Sequence, residues 1–445
     1  MGFNYAILIL MNKDQIKYLL RSQQSEPLPQ FSPREQPIPF AAGKIISLIG
    51  VRRVGKTFLL FQRIKKLLDS GVSRQQIVYL NFEDDRIWPI REGEFALIPQ
   101  AHAELFPDLQ EKPVYYFFDE IQNAPGWERV CRRLYDTDKK CTMVVTGSSS
   151  HFLAREVASE LRGRSLPIEV FPLSFREFLQ FRNVSVETFS TRSEQKLYSE
   201  LENYLKIGGL PEVVLAEEAV RTLILREYND LVLYKDLIDR HHLSNPLVMK
   251  ELLRHCLSNP ASLINVAKIY NDFKSRGLKV GKDTLHKYLD ILQDSYLIFL
   301  LPLAERSLRK RAINPKKMHL IDWSIGYTFI ADQQADMGHK LENAVFLSER
   351  RANPELGYLS SPAEIDLVDS RDRPRRFINV CWSLANQSTY EREVQALTSL
   401  KSGEKILVAQ DLPTGATVPH GIKIIPAWRY LYEAETAGTN GISVR

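Results

Sequence analysis

The chain has 445 residues, 44% of them hydrophobic and 25% charged, with 21 Gly, 23 Pro and a net charge of +5. This composition excludes a disordered, collagen-like or disulfide-stapled chain and leaves room for about two to four domains. The basic surplus permits a nucleic-acid partner without requiring one.

Residues 1–43 read as an N-terminal lead-in. Phe3 to Met11 (FNYAILILM) is apolar, but no basic residue precedes it and no small-residue cleavage site follows it, so a signal peptide is not expected. Met11 opens a more ordinary start, MNKDQIKYLL, and residues 1–10 read as an upstream extension. Residues 26–42 are Pro-rich and predict extended chain. Lys44 to Ile49 (KIISLI) predicts a buried strand, followed by GVRRVGKT and then FLLFQRIKKLLDSG, whose Leu59, Leu60, Ile64 and Leu67 recur at helical spacing. Further strands are predicted at Ile77–Phe82, Val114–Phe118 and Thr142–Val145. Strands alternating with helices imply a parallel α/β sheet, here over 44–172.

Residues 173–240 read as a helical lid. Residues 245–318 read as three helices (LVMKELLRHCLS, ASLINVAKIYNDFKS, KDTLHKYLDILQDS) and a ribbon (YLIFLLPLAE, MHLID), the pattern of a winged helix. Residues 326–445 mix strands and helices as a further α/β unit. No apolar run approaches the ~18–20 residues that span a bilayer. The four cysteines, Cys131, Cys141, Cys256 and Cys381, are scattered without a C-x-x-C pair. That argues against disulfides or a zinc site and fits a reducing cytoplasm.

The chemistry concentrates in three places. Gly50-x-x-x-x-Gly55-Lys56-Thr57 is a phosphate-binding loop between a strand and a helix. Its backbone from Gly50 through Arg52, Arg53, Val54 and Gly55 to Phe58 would wrap the phosphates of ATP, aided by the helix N-terminus. Lys56 would reach the β- and γ-phosphates, and Thr57 would hold Mg²⁺. Arg52 and Arg53 would touch phosphate or face solvent. Asp119-Glu120 ends an apolar strand, where carboxylates are costly without a task. Asp119 would hold the Mg²⁺ shell and Glu120 would orient or deprotonate the attacking water. Thr146 and Ser148 end the next strand and would sense the γ-phosphate. Arg162 and Arg164 (LRGR) would stabilise the transferring phosphoryl group, or else pair with Glu156 or Glu160.

The set GVRRVGKT, YYFFDEIQNAPGWE, VVTGSSS, LRGR, PLSFREFL and GGLPEVV resembles the AAA-type ATP-binding proteins of bacteria and archaea whose C-terminal half is a domain of unknown function. The resemblance spans about residues 11–430. It implies an α/β AAA+ P-loop core with a helical lid, a winged helix, and a C-terminal domain related to the PD-(D/E)XK (restriction-endonuclease-like) nucleases. It also implies ATP and Mg²⁺ as cofactors. In that frame Glu342 resembles the helical acid, and Glu364 and Asp366 resemble the strand acids. Where acid-x-Lys should follow, the chain reads Asn379-Val380-Cys381, which removes a ligand and the lysine. The nuclease-like domain is therefore expected to be inactive, with Glu342, Glu364 and Asp366 read as a fold-keeping hydrogen-bond network in preference to metal ligands. Arg392-Glu393 matches the family pattern without an assignable task.

Residues 245–318 hold fourteen Lys and Arg against six Asp and Glu, so the basic surplus is local. Lys279, Lys282, His286 and Lys287 open the third helix, and Arg306–Arg311 would lie in or after the wing. Duplex DNA is the expected partner of this face, with a protein-contacting winged helix as the alternative. The leading expectation is Mg²⁺-dependent ATP hydrolysis coupled to conformational change. The alternatives are an ATP-gated nuclease and a slow switch or scaffold serving a protein partner. A homo-oligomer would let an arginine act in trans.

Overall fold

A computed structural model gives the fold. It describes residues 12–439 except 40–43, 88, 110, 139, 148–160, 162, 187–190, 306, 330–336, 362, 372–373 and 412–417. The proposed start extension, Ser148, Glu156, Glu160, Arg162 and Arg306 thus lie outside the described residues. The chain divides into two compact units, 1–170 and 171–445.

The first unit opens with α1 (Lys13–Ser25), inside the expected lead-in. Asn12 and Gln15 form a reciprocal capping box that starts it. Its Ile16, Leu19 and Leu20 are buried, and Lys13 and Lys17 both pair with Glu104. Then follow β1 (Ile45–Ile49), α2 (Lys56–Asp69), β2 (Ile77–Asn81), α3 (Leu97–Leu105), β3 (Tyr115–Asp119), α4 (Trp127–Thr137), β4 (Thr142–Thr146) and β5 (Ser165–Glu169). The five strands form one parallel sheet in the order β2-β3-β4-β1-β5. Every residue of β1 is buried, as a strand covered on both faces requires. The expected strands thus appear within a residue or two. β5 was not expected. Its SLPIE carries a proline and is only partly buried, which an edge position tolerates.

The second unit contains α5 (Phe175–Phe181), α6 (Thr191–Ile207), α7 (Pro211–Leu215) and α8 (Glu218–Leu231). After a π-helical stretch over Val232–Asp239 come α9 (Pro246–Leu257), β6 (Ser262–Ile264), α10 (Val266–Ser275), α11 (Lys282–Asp294), β7 (Ile298–Leu301), α12 (Leu308–Ile313) and β8 (Lys316–Leu320). The remainder is α13 (Met337–Ala352), β9 (Leu356–Leu359), β10 (Ile365–Asp369), β11 (Arg376–Cys381), α14 (Gln387–Thr398), β12 (Glu404–Ala409), β13 (Ile422–Pro426) and α15 (Ala427–Thr439). β6, β8 and β7 make an antiparallel sheet in that order, and β13-β12-β11-β10-β9 make a mixed one.

One local correction follows. Ala261–Ile264, expected at the start of a helix, is mostly strand, because Asn265 caps the next helix by accepting from the Lys268 N–H. The basic run 309–311 lies on the short helix α12, between the two ribbon strands. The expected lid is also tied into the rest of its unit. Gly209 N–H donates to Asp322 Oδ2 at 2.6 Å, Trp323 Nε1 to the Leu205 carbonyl at 2.9 Å, and Asn229 Nδ2 to the Ile325 carbonyl at 2.9 Å. Leu303 bridges Tyr358, joining the two sheets along one edge.

Candidate functional site

The parallel order sets the site. β3, β4 and β1 are neighbours, so Asp119-Glu120, Thr146 and the loop from Gly50 emerge side by side at the carboxyl ends of the strands. Leu48 stands beside Thr146 and Asn81 beside Asp119.

The loop is shaped by its backbone. Gly50 has φ 150° and Gly55 φ 99°. A Cβ at Gly50 would stand 2.5 Å from the Val170 carbonyl oxygen, so no larger residue fits without moving β1 or its neighbour. Gly50→Ala is expected to destabilise the chain by about 2–4 kcal/mol; thermal melting checks it, and an unchanged midpoint would show that the loop has slack. Gly55 begins α2, aiming the helix's first amides at the loop. Lys56 is buried, and its Nζ donates to the Gly50 and Val51 carbonyls at 3.0 and 2.9 Å. The ammonium therefore lies folded over the loop where phosphate oxygens would be received. Arg53, at φ 59°, and Glu120, at φ 50°, both hold left-handed backbone that favours glycine. Such strain gathers at working sites. Phe58 is exposed on α2 and meets Phe61 edge-on.

Asp119 is the hub. Its Oδ2 accepts from Thr57 Oγ1 at 2.7 Å and from the Tyr79 hydroxyl at 3.3 Å, and its Oδ1 accepts from Thr146 Oγ1. Burial pushes its carboxyl above the usual range, against the pull of the Thr146 and Thr57 hydrogen bonds. The folded chain thus holds this proton more tightly than the unfolded chain. The stabilisation from that proton is full at low pH and fades as pH rises through the raised pKa. Asp119→Asn is accordingly expected to raise the melting midpoint of the nucleotide-free chain at neutral pH, with the gain vanishing in acid. It should at the same time abolish Mg²⁺-dependent nucleotide binding. A neutral-pH midpoint below that of the wild type would contradict this balance.

Thr146 takes a different place from the one expected. It is fully buried, donates to Asp119 and accepts from the Glu120 N–H at 3.1 Å. Its hydroxyl positions both acids instead of facing a phosphate. Gln122 Nε2 donates to Glu120 Oε2 at 2.6 Å, steadying the acid from two residues away.

Arg164 requires a correction. It directly precedes β5, and its carbonyl accepts from the Ile45 N–H at 2.8 Å. That places it at the opposite end of β1 from Gly50, about 15 Å away at strand rise. Its guanidinium pairs with Asp136 at 3.0 Å and lies over Tyr135. Arg164 is therefore not a catalytic group for its own chain's loop, and among the described residues its guanidinium pairs with Asp136.

Three residues near the site escaped sequence reasoning. Tyr79 reaches Asp119 from β2. Burial raises the Glu83 carboxyl, with Glu120 adding to the rise and Arg52 and Lys56 opposing it, so Glu83 belongs to the same electrostatic field. Arg34, buried in the Pro-rich segment, donates from Nη1 to the Val54 carbonyl at 3.0 Å. Gln62 exchanges two hydrogen bonds with the Arg34 backbone. The segment is thereby pinned to the loop and to α2. Only the polar residues amid the prolines hinted at this.

Comparison with known proteins agrees with this geometry. Residues 42–179 match the model of an AAA domain, and residues 198–336 match a domain of unknown function, DUF8612. The uncharacterized protein MJ1544 of Methanocaldococcus jannaschii is 33% identical over 417 residues, covering 89% of this chain and 90% of that one. An uncharacterized protein of Haemophilus influenzae is 30% identical over 387 residues, covering 86% and 92%. The chain belongs to the same family as these two proteins. Among solved structures, the Walker-type ATPase PABY2304 of Pyrococcus abyssi is similar at 15% identity and a TM-score of 0.42, covering 72% of this chain and 96% of that one. The AAA match covers most of the first unit and runs on to residue 179, and no helix among the described residues is long and apolar enough to cross a membrane.

Proposed function

We propose that the chain is a Mg²⁺-dependent ATPase of the AAA type, whose turnover drives conformational change and responds to duplex DNA. The arrangement of Asp119 carries the reading. One buried carboxylate is held by the loop threonine and by the threonine of the next strand, with a second acid beside it. Thr57 Oγ1 and Asp119 Oδ2, 2.7 Å apart, form a hard-oxygen pair that suits Mg²⁺. When bound, Mg²⁺ supplies charge neutralisation between the β- and γ-phosphates.

The chain's residues divide the rest of the work. Lys56 exchanges its two loop carbonyls for phosphate oxygens. Gly50 and Gly55 leave room for the backbone amides of 51–57 to point at the anion. Glu120, held by Gln122 and by Thr146, receives a proton from the attacking water. Arg164, at the far end of the sheet, would serve only a neighbouring copy in an oligomer.

The DNA reading rests on the second unit. In this reading α9, α10 and α11 with the β6-β8-β7 sheet serve as a winged helix, and Lys279, Lys282, His286 and Lys287 are all exposed at or just before the start of α11. Three other bases of the segment are engaged: Arg254 and Arg276 pair with Glu251, and Lys317 is buried. Lys279, Lys282 and Lys287 are clustered on the surface around the start of α11, where they suit phosphates. Replacing Lys279, Lys282 and Lys287 with Glu is expected to weaken duplex binding by roughly 100-fold and to lower the salt slope by about 2–3. Anisotropy titrations at several salt concentrations check this, and unchanged affinity would move the face to a protein partner.

A further inference from the structure

The acids of the C-terminal half at the positions that resemble metal ligands hold a lysine. Lys317, on β8, is 5% exposed at its side chain; its Nζ stands 2.6 Å from Glu342 Oε1 on α13 and 2.7 Å from Asp366 Oδ1 on β10. We propose that the Lys317 ammonium is the resident cation of this pocket, taking the place of a divalent metal and latching the β6-β8-β7 sheet to α13 and β10.

The surrounding bonds leave little for a metal to take. Asp366 Oδ2 accepts from the Val380 N–H at 2.8 Å. Asn379, at the position where an acid is missing, accepts from the Asp366 N–H at 3.3 Å and donates from Nδ2 to Glu393 Oε2 at 2.9 Å. The other oxygen of Glu393 accepts from Arg392 at 2.8 Å, which gives the Arg392-Glu393 pair its task. Among the described residues, no group of three or more His, Cys, Asp or Glu side chains is disposed to hold a metal.

The charge balance agrees. Burial alone would lower the Lys317 pKa, but Asp366 and Glu342 together carry it above the ordinary lysine value. A lysine from another strand cannot be seen in the spacing around Glu364, Asp366 and Asn379. It is visible only once β8 is packed against α13. Its strand is also central in the antiparallel sheet, so the ion cluster joins that sheet to the mixed sheet at a second place besides the Leu303–Tyr358 bridge. With its acids neutralised by a tethered ammonium, the pocket is a structural joint and not a cleavage centre.

The test uses the full chain, freed of metal by EDTA and without nucleotide. Millimolar Mn²⁺ is expected to leave the wild-type melting midpoint unmoved. Lys317→Ala is expected to melt lower by about 5 °C or more, because it leaves one buried and one part-buried acid without their cation. Mn²⁺ is expected to restore most of that loss, and adding Asp366→Asn to the variant should abolish the rescue. A Lys317→Ala chain indifferent to Mn²⁺ would overturn the proposal. A direct Mn²⁺ titration of the wild type does not depend on any variant folding. No site that depends on Asp366 is expected there, and a site that Asp366→Asn removes would overturn the proposal equally.

Discussion

Lys56→Ala is expected to remove tight ATP binding. The ammonium is buried and folded onto the loop by two carbonyls, so it has only to swing to meet the phosphates. Losing two or more charge-assisted hydrogen bonds costs roughly 3 kcal/mol or more, about a hundredfold or greater in affinity. Alanine also leaves the Gly50 and Val51 carbonyls without their donor, so part of the loss is a loosened loop. Lys56→Arg separates the two effects. It keeps the charge, but its planar fork does not fit the space of a compact ammonium, and it should also bind weakly. Isothermal calorimetry reads both variants, and wild-type affinity in Lys56→Ala would remove the loop from nucleotide binding.

Glu120→Gln is expected to do the reverse, keeping ATP binding within a fewfold and cutting turnover by roughly 10²–10⁴. The side chain is held by Gln122, and the backbone N–H by Thr146. An amide at 120 can keep the shape, but it cannot take a proton from water. Gln122→Ala supplies the graded case. It frees the Glu120 carboxylate without removing it, and turnover should fall less, by about tenfold. Equal losses in the two variants would mean that orientation, not proton transfer, is what Glu120 supplies.

The first unit was legible because its strands are short apolar runs that end on chemistry. KIISLI leads into GVRRVGKT, and VYYFF leads into Asp119-Glu120. Period and punctuation there coincide with the fold. What escaped has physical reasons. β5 lacks an apolar run because an edge strand needs none. Ala261–Ile264 joins a helical pattern in sequence, but Asn265 caps the helix behind it. Tyr79 and Arg34 reach the site through tertiary contacts that no spacing encodes.

The hydrogen bonds of Thr146 were likewise invisible in the sequence. A polar residue at a strand end looks open to ligand, while its hydroxyl is consumed by Asp119 and the Glu120 N–H. Arg164 looked catalytic from its neighbourhood in the sequence. Strand direction put it at the wrong end of the sheet. Lys317 shows the same limit in the second unit, where the cation that completes the acid cluster comes from a strand about fifty residues away in the chain.

Phosphate release from ATP and Mg²⁺, measured side by side for the wild type and Glu120→Gln with and without duplex DNA, tests the central claim most directly. The account predicts turnover in the wild type that rises with DNA and is lost in the variant under both conditions. Phosphate release by Glu120→Gln at the wild-type rate would contradict it.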